Sequence, residues 1–483
     1  MVSPLDKHVA LIGFMGAGKS TIGEEVAQRI GRAFVDVDRK IEANAGDTIA
    51  EIFRSRGEAG FREIEEEMAG EALGNREPRV LALGGGALTS EVTRRLLRER
   101  ATTVLVEIDV GSAWERARSS DRPLAQDEEA FRRLYDERLP AYEEAADAVA
   151  HDADDAVLAA GGVHVQLGSL ELLGELLPGQ APAALIADAH VAGMYGADAQ
   201  LALGARLAST HTVPRGEEAK TVAVCERLWQ ELRLERGGTV VALGGGCTSD
   251  VAGFVAAAYL RGVAWAAVPT TLVAQVDAAL GGKTAIDLPQ GKNLVGAFHW
   301  PVRTVIDPAL LETLPDSERR AGLAEIVKTG LLAGERVWEL PDAELVRRCA
   351  LFKTAVCLRD PEDRGERAVL NLGHTFAHAL EAAAGYEEIT HGEAVALGLR
   401  AALRLSVEHV GLDPAVAEDA EHVLAPKPIR VDSDRAWAAL GRDKKSEGGR
   451  VRLVLLEAPG KPVHGVELPE EDVRRALDSL VAG

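Results

Sequence analysis

The chain has 483 residues, 47% hydrophobic but only 4% aromatic, so Ala, Val and Leu must build its interior. At roughly 150 residues per domain, about three domains are expected. Lys and Arg number 54 against 76 Asp and Glu, a net charge of −22 that argues against a nucleic-acid or membrane-surface binder, both partners being anionic. Small anionic substrates stay open, because they need only a local cluster of cations. The 4 cysteines make no CxxC pair, the N-terminus carries no signal-peptide pattern, and apolar runs break before the ~20 residues of a membrane span. A soluble cytoplasmic chain with reduced thiols is expected.

In chain order, short β-type runs alternate with helical stretches over His8–Gly13, Ser20–Ile30, Ala33–Val37, Ile49–Phe53, Val80–Leu83 and Thr102–Ile108. Such repetition predicts parallel βαβ units. An acidic, helix-prone stretch from Glu128 to Asp155 precedes Gly161 and Gly162, and a boundary is placed near residue 160. AALIAD, TVVALGGG and AWAAVPTT then read as buried strands ending in polar or glycine-rich turns. Beyond Leu314 and Pro315 the apolar residues recur at helical spacing, which predicts a mainly helical domain over 315–483 after an α/β domain over 161–314.

GFMGAGKS, residues 13–20, fits G-x4-G-K-[ST] between an apolar strand and a helical run. Gly13, Gly16 and Gly18 let backbone N–H groups curl around phosphates at a helix N-terminus. Lys19 would reach the β- and γ-phosphates, and the Ser20 hydroxyl would hold Mg²⁺. Asp36 and Asp38, two apart at a strand end, can project into one cleft to assist Mg²⁺ and take a hydroxyl proton. Arg62, Arg122 and Arg138 supply cations and Gly84, Gly85 and Gly86 close backbone approach. Each arginine taken singly reads more readily as a solvated surface charge; their combination with a phosphate loop shifts the balance.

GFMGAGKST, FVDVDRKIE, IAEIFRSRGEAGFREIE, LALGGGA, DRPL and ERLPAYEEAA resemble shikimate kinase, in order, over nearly all of residues 1–155. The resemblance implies a P-loop kinase domain with a parallel sheet over 1–160, using ATP with Mg²⁺. It makes Asp38 the shikimate contact and base, and Arg62, Gly84, Gly85, Gly86 and Arg138 the groups that bind carboxylate and hydroxyls. Ser20 and Asp36 match Mg²⁺ positions. Thr21 and Arg122 fall with Lys19 on the ATP side, Arg122 as the lid arginine. A different small-molecule kinase stays open.

The glycine turn of VVALGGGCTSDVAGF lets amides approach a pyrophosphate, although GGGxxxD is not the dinucleotide fingerprint. Thr270, Thr271, Asp277, Lys283, Lys292 and Asn293 follow amid Ala and Gly, where packing does not account for them. LNLGHTFAHALE sets His374 and His378 on one helical face with Asn371 a turn before. GLAEIVKTG sets Glu325 and Lys328 on one face, and HGEAVALG opens another helix with His391. An i, i+4 histidine pair alone is not decisive. A Glu and two His from three helices would make a three-ligand site with open positions, the catalytic zinc arrangement.

RGEEAKT, LGGGCTSDVAGFVAAAYLRG, VPTTLVAQVDAALGGKTAID, GKNLVGAF, LLETLPDSERRAGLAEIVK, GERAVLNLGHTFAHALE, HGEAVALG and DKKSEGGRVRLVL resemble 3-dehydroquinate synthase across about 162–483. The resemblance implies a Rossmann-like α/β domain followed by a helical metal-binding domain. It puts Zn²⁺ (or Co²⁺) at Glu325, His374 and His391. NAD falls against Asp188, Glu217, Lys220, Gly245, Gly246, Asp250, Thr270, Thr271 and Thr313, with Lys283 and Lys292 also on that side. Substrate contacts fall to Arg261, Asp277, Lys283, Lys292, Asn293, Lys328, Arg367, Asn371, His378, Lys444 and Lys445, with Lys283, Lys328, Arg261 and His378 nearest the chemistry and His378 the proton relay. The substrate implied is 3-deoxy-D-arabino-heptulosonate 7-phosphate, oxidised at C5, relieved of phosphate, reduced again and closed to 3-dehydroquinate. A homodimer through this part is expected. Asp287, Trp300, Ala279 and His190 stand where the family usually has Asn, Gln, Ser and Asn, so altered NAD contacts and an unwanted carboxylate near the phosphate cluster are expected. Two rivals stay open: a polyol dehydrogenase that releases NADH, and a non-catalytic module in one half.

Overall fold

The computed structural model describes residues 3–118, 124–385, 389–446 and 451–482, with the backbone alone at 442–446. The chain forms two compact units. The first holds Met1–His164 with Glu175–Gln180 and Trp300–Arg303; the second holds Val165–Gly174, Ala181–His299 and Thr304–Gly483.

In the first unit β1 (His8–Ile12), β2 (Phe34–Asp36), β3 (Val80–Ala82), β4 (Ala101–Val106) and β5 (Ala148–Ala150) form one sheet ordered β2-β3-β1-β4-β5. Every pairing is parallel. The central strand β1 is buried along its whole length, which is why it reads as an apolar run rather than an alternation. The acidic stretch is helical over Glu128–Ala145 and again from Ala153, where the Ala153–Ala160 helix begins; between them β5 is an edge strand that is too short to show a period. Scarce aromatics concentrate here: Phe131 meets Phe14 edge-on at 4.9 Å and Trp114 at 5.2 Å.

A second sheet joins β6 (Val163–Val165), β7 (Ala183–Asp188), β8 (Leu207–Val213), β9 (Thr239–Gly244), β10 (Ala264–Pro269) and β13 (Arg303–Ile306), in the order β6-β13-β10-β9-β7-β8. Strands β8, β7, β9 and β10 pair in parallel. Beside it lies the hairpin of β11 (Lys283–Leu288) and β12 (Gly291–Phe298). The helices Asp316–Ala333, Asp342–Arg359, His374–Ala383 and His391–His409 then dominate. The region expected to be mainly helical also contains an antiparallel hairpin, β14 (Arg452–Ala458) with β15 (Lys461–Glu467). Its buried Leu453–Leu456 run has no alternation to reveal it. Among the described residues no helix is long and apolar enough to cross a membrane.

Candidate active sites

In the first unit the loop between β1 and the Lys19–Ile30 helix needs its glycines for two separate reasons. Gly13 has φ +137° and a Cβ there would lie 2.6 Å from the Val106 carbonyl oxygen; Gly16 has φ +86° and its Cβ would lie 2.8 Å from that of Ala113. Gly18 caps the helix at φ 92°. The Lys19 ammonium donates to the carbonyls of Gly13 at 2.7 Å and Phe14 at 3.0 Å, so it lies along the loop that it would serve. Ser20 Oγ donates to Asp36 Oδ2 at 2.6 Å, which joins the two expected Mg²⁺ positions directly.

Asp36 Oδ1 accepts from the Asp38 and Arg39 amides, so Asp36 caps the Val37–Ala45 helix and Asp38 stands in its first turn rather than on a strand. The acceptor side is built around three glycines. A Cβ on Gly84 would meet Glu65 Oε1 at 2.2 Å and Asp38 Oδ1 at 2.8 Å, and one on Gly86 would meet Arg62 Nη1 at 1.9 Å. Arg138 Nη1 donates to the Gly85 carbonyl at 2.9 Å. Lys19, Ser20, Thr21, Asp36, Asp38, Arg62, Gly85, Gly86 and Arg138 thus line one cleft of about 910 Å³.

Sequence reading missed Glu65, buried on the same helix as Arg62 and paired with its Nη1 at 2.5 Å. Burial pushes the Glu65 carboxyl up against the pull of Arg62. Burial would lower Arg62, but the Glu65 carboxylate outweighs it and raises the guanidinium. Arg116 was missed as well; its Nη1 donates to the Gly16 carbonyl at 3.3 Å, putting a cation on the loop. Arg122 lies outside the described residues.

In the second unit Asp188, Gly245 and Thr270 stand at the carboxyl ends of the adjacent parallel strands β7, β9 and β10, the edge where doubly wound sheets bind ligands. A Cβ on Gly246 would lie 2.9 Å from Ala278, and one on Gly245 would lie 3.2 Å from Thr271 Cγ2. The buried Thr270 Oγ1 has no hydrogen-bond partner among the described residues. Asp188 caps the Ala189–Leu203 helix through the His190 and Val191 amides, at 2.8 and 3.1 Å. Thr313 Oγ1 lies 2.7 Å from the Tyr195 hydroxyl.

Lys220 is buried among carboxylates: Asp250 at 2.8 Å, Glu217 and Asp287 each at 3.8 Å, with Asn293 Oδ1 also accepting from it. Lys292 pairs with Glu217 at 2.7 Å. Burial would lower Lys220, but Asp250 raises it; burial pushes Asp250 itself up to about 6 against the pull of Lys220. Lys292 and Asn293 therefore stand with the Lys220–Glu217–Asp250 group.

Glu325, His374 and His391 come from three different helices, and one ligand atom of each lies within 4.8 Å of the others. Glu325 Oε1 is 3.4 Å from both imidazole Nε2 atoms. The carboxylate is fully buried and among the described residues neither oxygen makes a well-formed hydrogen bond, although Lys328 pairs with it. Burial would raise the Glu325 carboxyl, yet Lys328 and His374 hold it well below its usual range. Burial would lower His391, but Glu325 and Glu381 raise it to about 10. A buried anion facing two imidazole nitrogens suits a divalent cation of zinc type.

Beside it runs an ionic chain: Lys328 Nζ lies 3.7 Å from Asp277 Oδ1, and Lys353 Nζ lies 2.7 Å from the same oxygen. Asp277 reaches this place from a π-helical turn, Ala274–Ala278, of the kind found at functional sites. Sequence reading missed Lys353, which sits in the largely buried Asp342–Arg359 helix with no motif around it. Burial, then the His374 charge, pushes His378 down to about 4, so it is neutral at physiological pH.

Residues 210–321 match the family model described as 3-dehydroquinate synthase N-terminal, and 322–446 the one described as 3-dehydroquinate synthase C-terminal. A 3-dehydroquinate synthase from Gloeobacter violaceus is 45% identical over 341 residues, 65% of this chain and 94% of the relative. The chain belongs to the 3-dehydroquinate synthase family. Residues 15–162 match the family model described as shikimate kinase, so a kinase domain precedes the phosphate-eliminating lyase. The synthase of Bordetella pertussis is 39% identical over 342 residues, 65% of this chain and 95% of its own. Among solved structures, 2-deoxy-scyllo-inosose synthase with carbaglucose-6-phosphate, NAD⁺ and Co²⁺ is 26% identical with a TM-score of 0.59, covering 66% of this chain and 96% of that one.

Other expected synthase residues are more dispersed. Arg367 is buried and donates to the carbonyls of Gly281 at 2.9 Å and Pro361 at 3.0 Å. Lys283 pairs with Asp363. Asn371 ends a 3-10 turn just before His374. Arg261 is exposed, follows Leu260 in left-handed backbone (φ 68° after 51°), and is joined to none of these groups by an ion pair among the described residues. The side chains of Lys444 and Lys445 lie outside the described residues. Asp287 accepts from the Asn293 amide at 2.8 Å, and so belongs to the Lys220 group rather than the Lys283 end. Trp300 is buried in the first unit with its indole N–H on the Gly161 carbonyl at 2.9 Å.

Proposed function

We propose that the chain is a bifunctional enzyme. One site phosphorylates shikimate to shikimate 3-phosphate with ATP. The other converts 3-deoxy-D-arabino-heptulosonate 7-phosphate to 3-dehydroquinate and phosphate. A cytoplasmic homodimer formed through the synthase part belongs to the same reading; a sedimentation coefficient of a monomer at micromolar concentration would remove it.

In the kinase, Asp38 takes the proton of the attacking hydroxyl while Arg62 and Arg138 hold the shikimate carboxylate and hydroxyls against Gly84–Gly86. Lys19 and Arg122 neutralise the phosphates, and Ser20 with Asp36 holds Mg²⁺. ATP with Mg²⁺ supplies the phosphoryl group, and positioning with charge neutralisation does most of the work.

In the synthase, Asp188, Glu217, Lys220, Gly245, Gly246, Asp250, Thr270, Thr271 and Thr313 hold NAD, with Lys292 bordering it. Glu325, His374 and His391 hold Zn²⁺ or Co²⁺. Bound NAD supplies reversible hydride removal, and the bound cation makes a hydroxyl easier to ionise. His378, neutral because it is buried, relays the C5 proton. Asp277, Asn371 and Asn293 orient the hydroxyls, and Lys283, Lys328, Arg261, Arg367, Lys444 and Lys445 hold phosphate and carboxylate. Support comes chiefly from one observation: the Glu325–His374–His391 cluster stands beside the Lys328–Asp277–Lys353 chain. An uncharged polyol would need no such cations.

Phosphate release from the heptulosonate phosphate is measured with NAD⁺ and Zn²⁺, beside Glu325→Ala, with NADH absorbance followed together. Release without net NADH, lost in the variant, is expected. No release from folded, zinc-loaded protein would sink the synthase proposal, and accumulating NADH would move this half to a dehydrogenase. ATP-dependent phosphorylation tested on shikimate and gluconate decides the kinase acceptor.

A further inference from the structure

We infer that Glu381 is a positioning residue for the metal, holding His391 so that Nε2 rather than Nδ1 faces Glu325. The inference rests on the metal reading proposed above. Glu381 follows His374 and His378 by one further turn on the same helix, at i+7 from the first, so all three share a face. Its Oε1 lies 3.2 Å from His391 Nδ1, and the opposite ring nitrogen of His391 lies 3.4 Å from Glu325 Oε1. The imidazole is thus strung between two carboxylates on different helices.

His374 is held in the same sense by weaker means, its Nδ1 lying 3.3 Å from the Leu372 carbonyl. In both rings Nδ1 faces an oxygen acceptor and Nε2 faces Glu325, so a cation that takes the place of the Nε2 proton would leave the Nδ1–H held. A carbonyl fixes the tautomer of His374, while a carboxylate at His391 also adds negative charge and strengthens the ring as a donor. The side chain of Glu381 is only 8% exposed, and His391 is its sole ion-pair partner among the described residues. A carboxylate is costly to bury without such a partner. Packing gives no reason for an acid here, since its neighbours Ala379, Leu380 and Ala383 are buried apolar residues.

The full-length chain, stripped of metal and retitrated, tests this. Zinc affinity is read by competition with a chromophoric chelator and site geometry by Co²⁺ absorption, for the parent, Glu381→Ala, Glu381→Gln and Glu325→Ala. Glu381→Ala is expected to weaken zinc about 10–100-fold and to alter the Co²⁺ spectrum. Glu381→Gln, whose amide oxygen still accepts from Nδ1, should lose less. The Tm of the metal-free protein separates positioning from support: a positioning role leaves it near the parent value in Glu381→Gln. Parent-like zinc affinity in both Glu381 variants, with the site lost in Glu325→Ala, overturns the inference alone. A metal-free Tm that falls in both variants while zinc affinity stays at the parent value overturns it too. If the parent takes up no zinc, or Glu325→Ala takes it up equally, the metal reading falls and this inference with it.

Discussion

His8 shows how one buried side chain ties a unit to pH. Its Nδ1 accepts the Arg79 amide at 3.1 Å and its Nε2–H meets the Asn75 carbonyl at 3.2 Å, so the ring must stay neutral to keep both bonds. Burial lowers its pKa below 6.5, with the Asn75 carbonyl opposing. The unfolded chain therefore binds a proton that the folded one refuses, and stability rises with pH across that window. It is lost as pH falls below the unfolded value and toward the folded one. Thermal inactivation of the kinase should speed up from about pH 7 to about pH 5, and the dependence should flatten in His8→Asn. An unchanged slope in the variant would place the titrating group elsewhere. At this scale the meeting of Ser20 with Asp36, and of Glu325 with His374 and His391, was legible, because each stands in a motif whose chemistry demands that residue type. Lys353 and Glu381 were not legible, because each becomes meaningful only when folding brings Asp277 or His391 to it; Glu65, three residues from Arg62, becomes distinctive only once its helix is buried against Gly84. Asp287 is the instructive case: sequence marked it as a threat to phosphate binding, whereas its carboxylate closes on the Asn293 amide beside Lys220.

At the scale of elements, the Glu325–His374–His391 cluster depends on how closely two helices can cross. Gly373, at φ +80°, precedes the His374 helix, and a Cβ there would lie 2.7 Å from the Leu399 amide; one on Gly398 would lie 2.1 Å from the Gly373 carbonyl oxygen. Backbone meets backbone, and the distance between His374 and His391 follows from it. Gly398→Ala should cost about 1–3 kcal/mol and weaken zinc binding together, because the helices must part to admit the methyl group. Parent-like Tm and zinc affinity in that variant would show that the crossing has slack. Helical spacing announced both helices, but nothing in the sequence announced their separation. Strand β1 and the glycine turns were readable from local pattern. The short edge strand β5 and the β14–β15 hairpin were not, one for want of length and the other for want of alternation.

For the whole molecule, the described groups proposed for the kinase lie in the first unit and those proposed for the synthase in the second. Among the described residues no group proposed for one reaction falls in the other unit, so Lys19→Ala should abolish phosphorylation of shikimate and leave phosphate release within about twofold, and Glu325→Ala should do the reverse. A loss of both activities in either variant, with the protein still folded, would show coupling between the sites. The two-site organisation was plain in sequence, since each half carries its own complete run of motifs. The membership of Trp300–Arg303 in the first unit was hidden, because it pairs positions more than a hundred residues apart.

That membership bears on how the chain is made. A ribosome delivers the phosphate loop, Asp38 and Arg138 early, yet the Gly161 carbonyl waits for Trp300 and the Leu176 carbonyl for the Arg303 guanidinium, 2.9 Å away. The first unit therefore gains its last segment only after most of the NAD-side strands have been synthesised. Nascent chains stalled before Trp300 should expose this unit to protease more readily than chains stalled well beyond Arg303. Equal resistance would mean that the late segment arrives at a unit already closed.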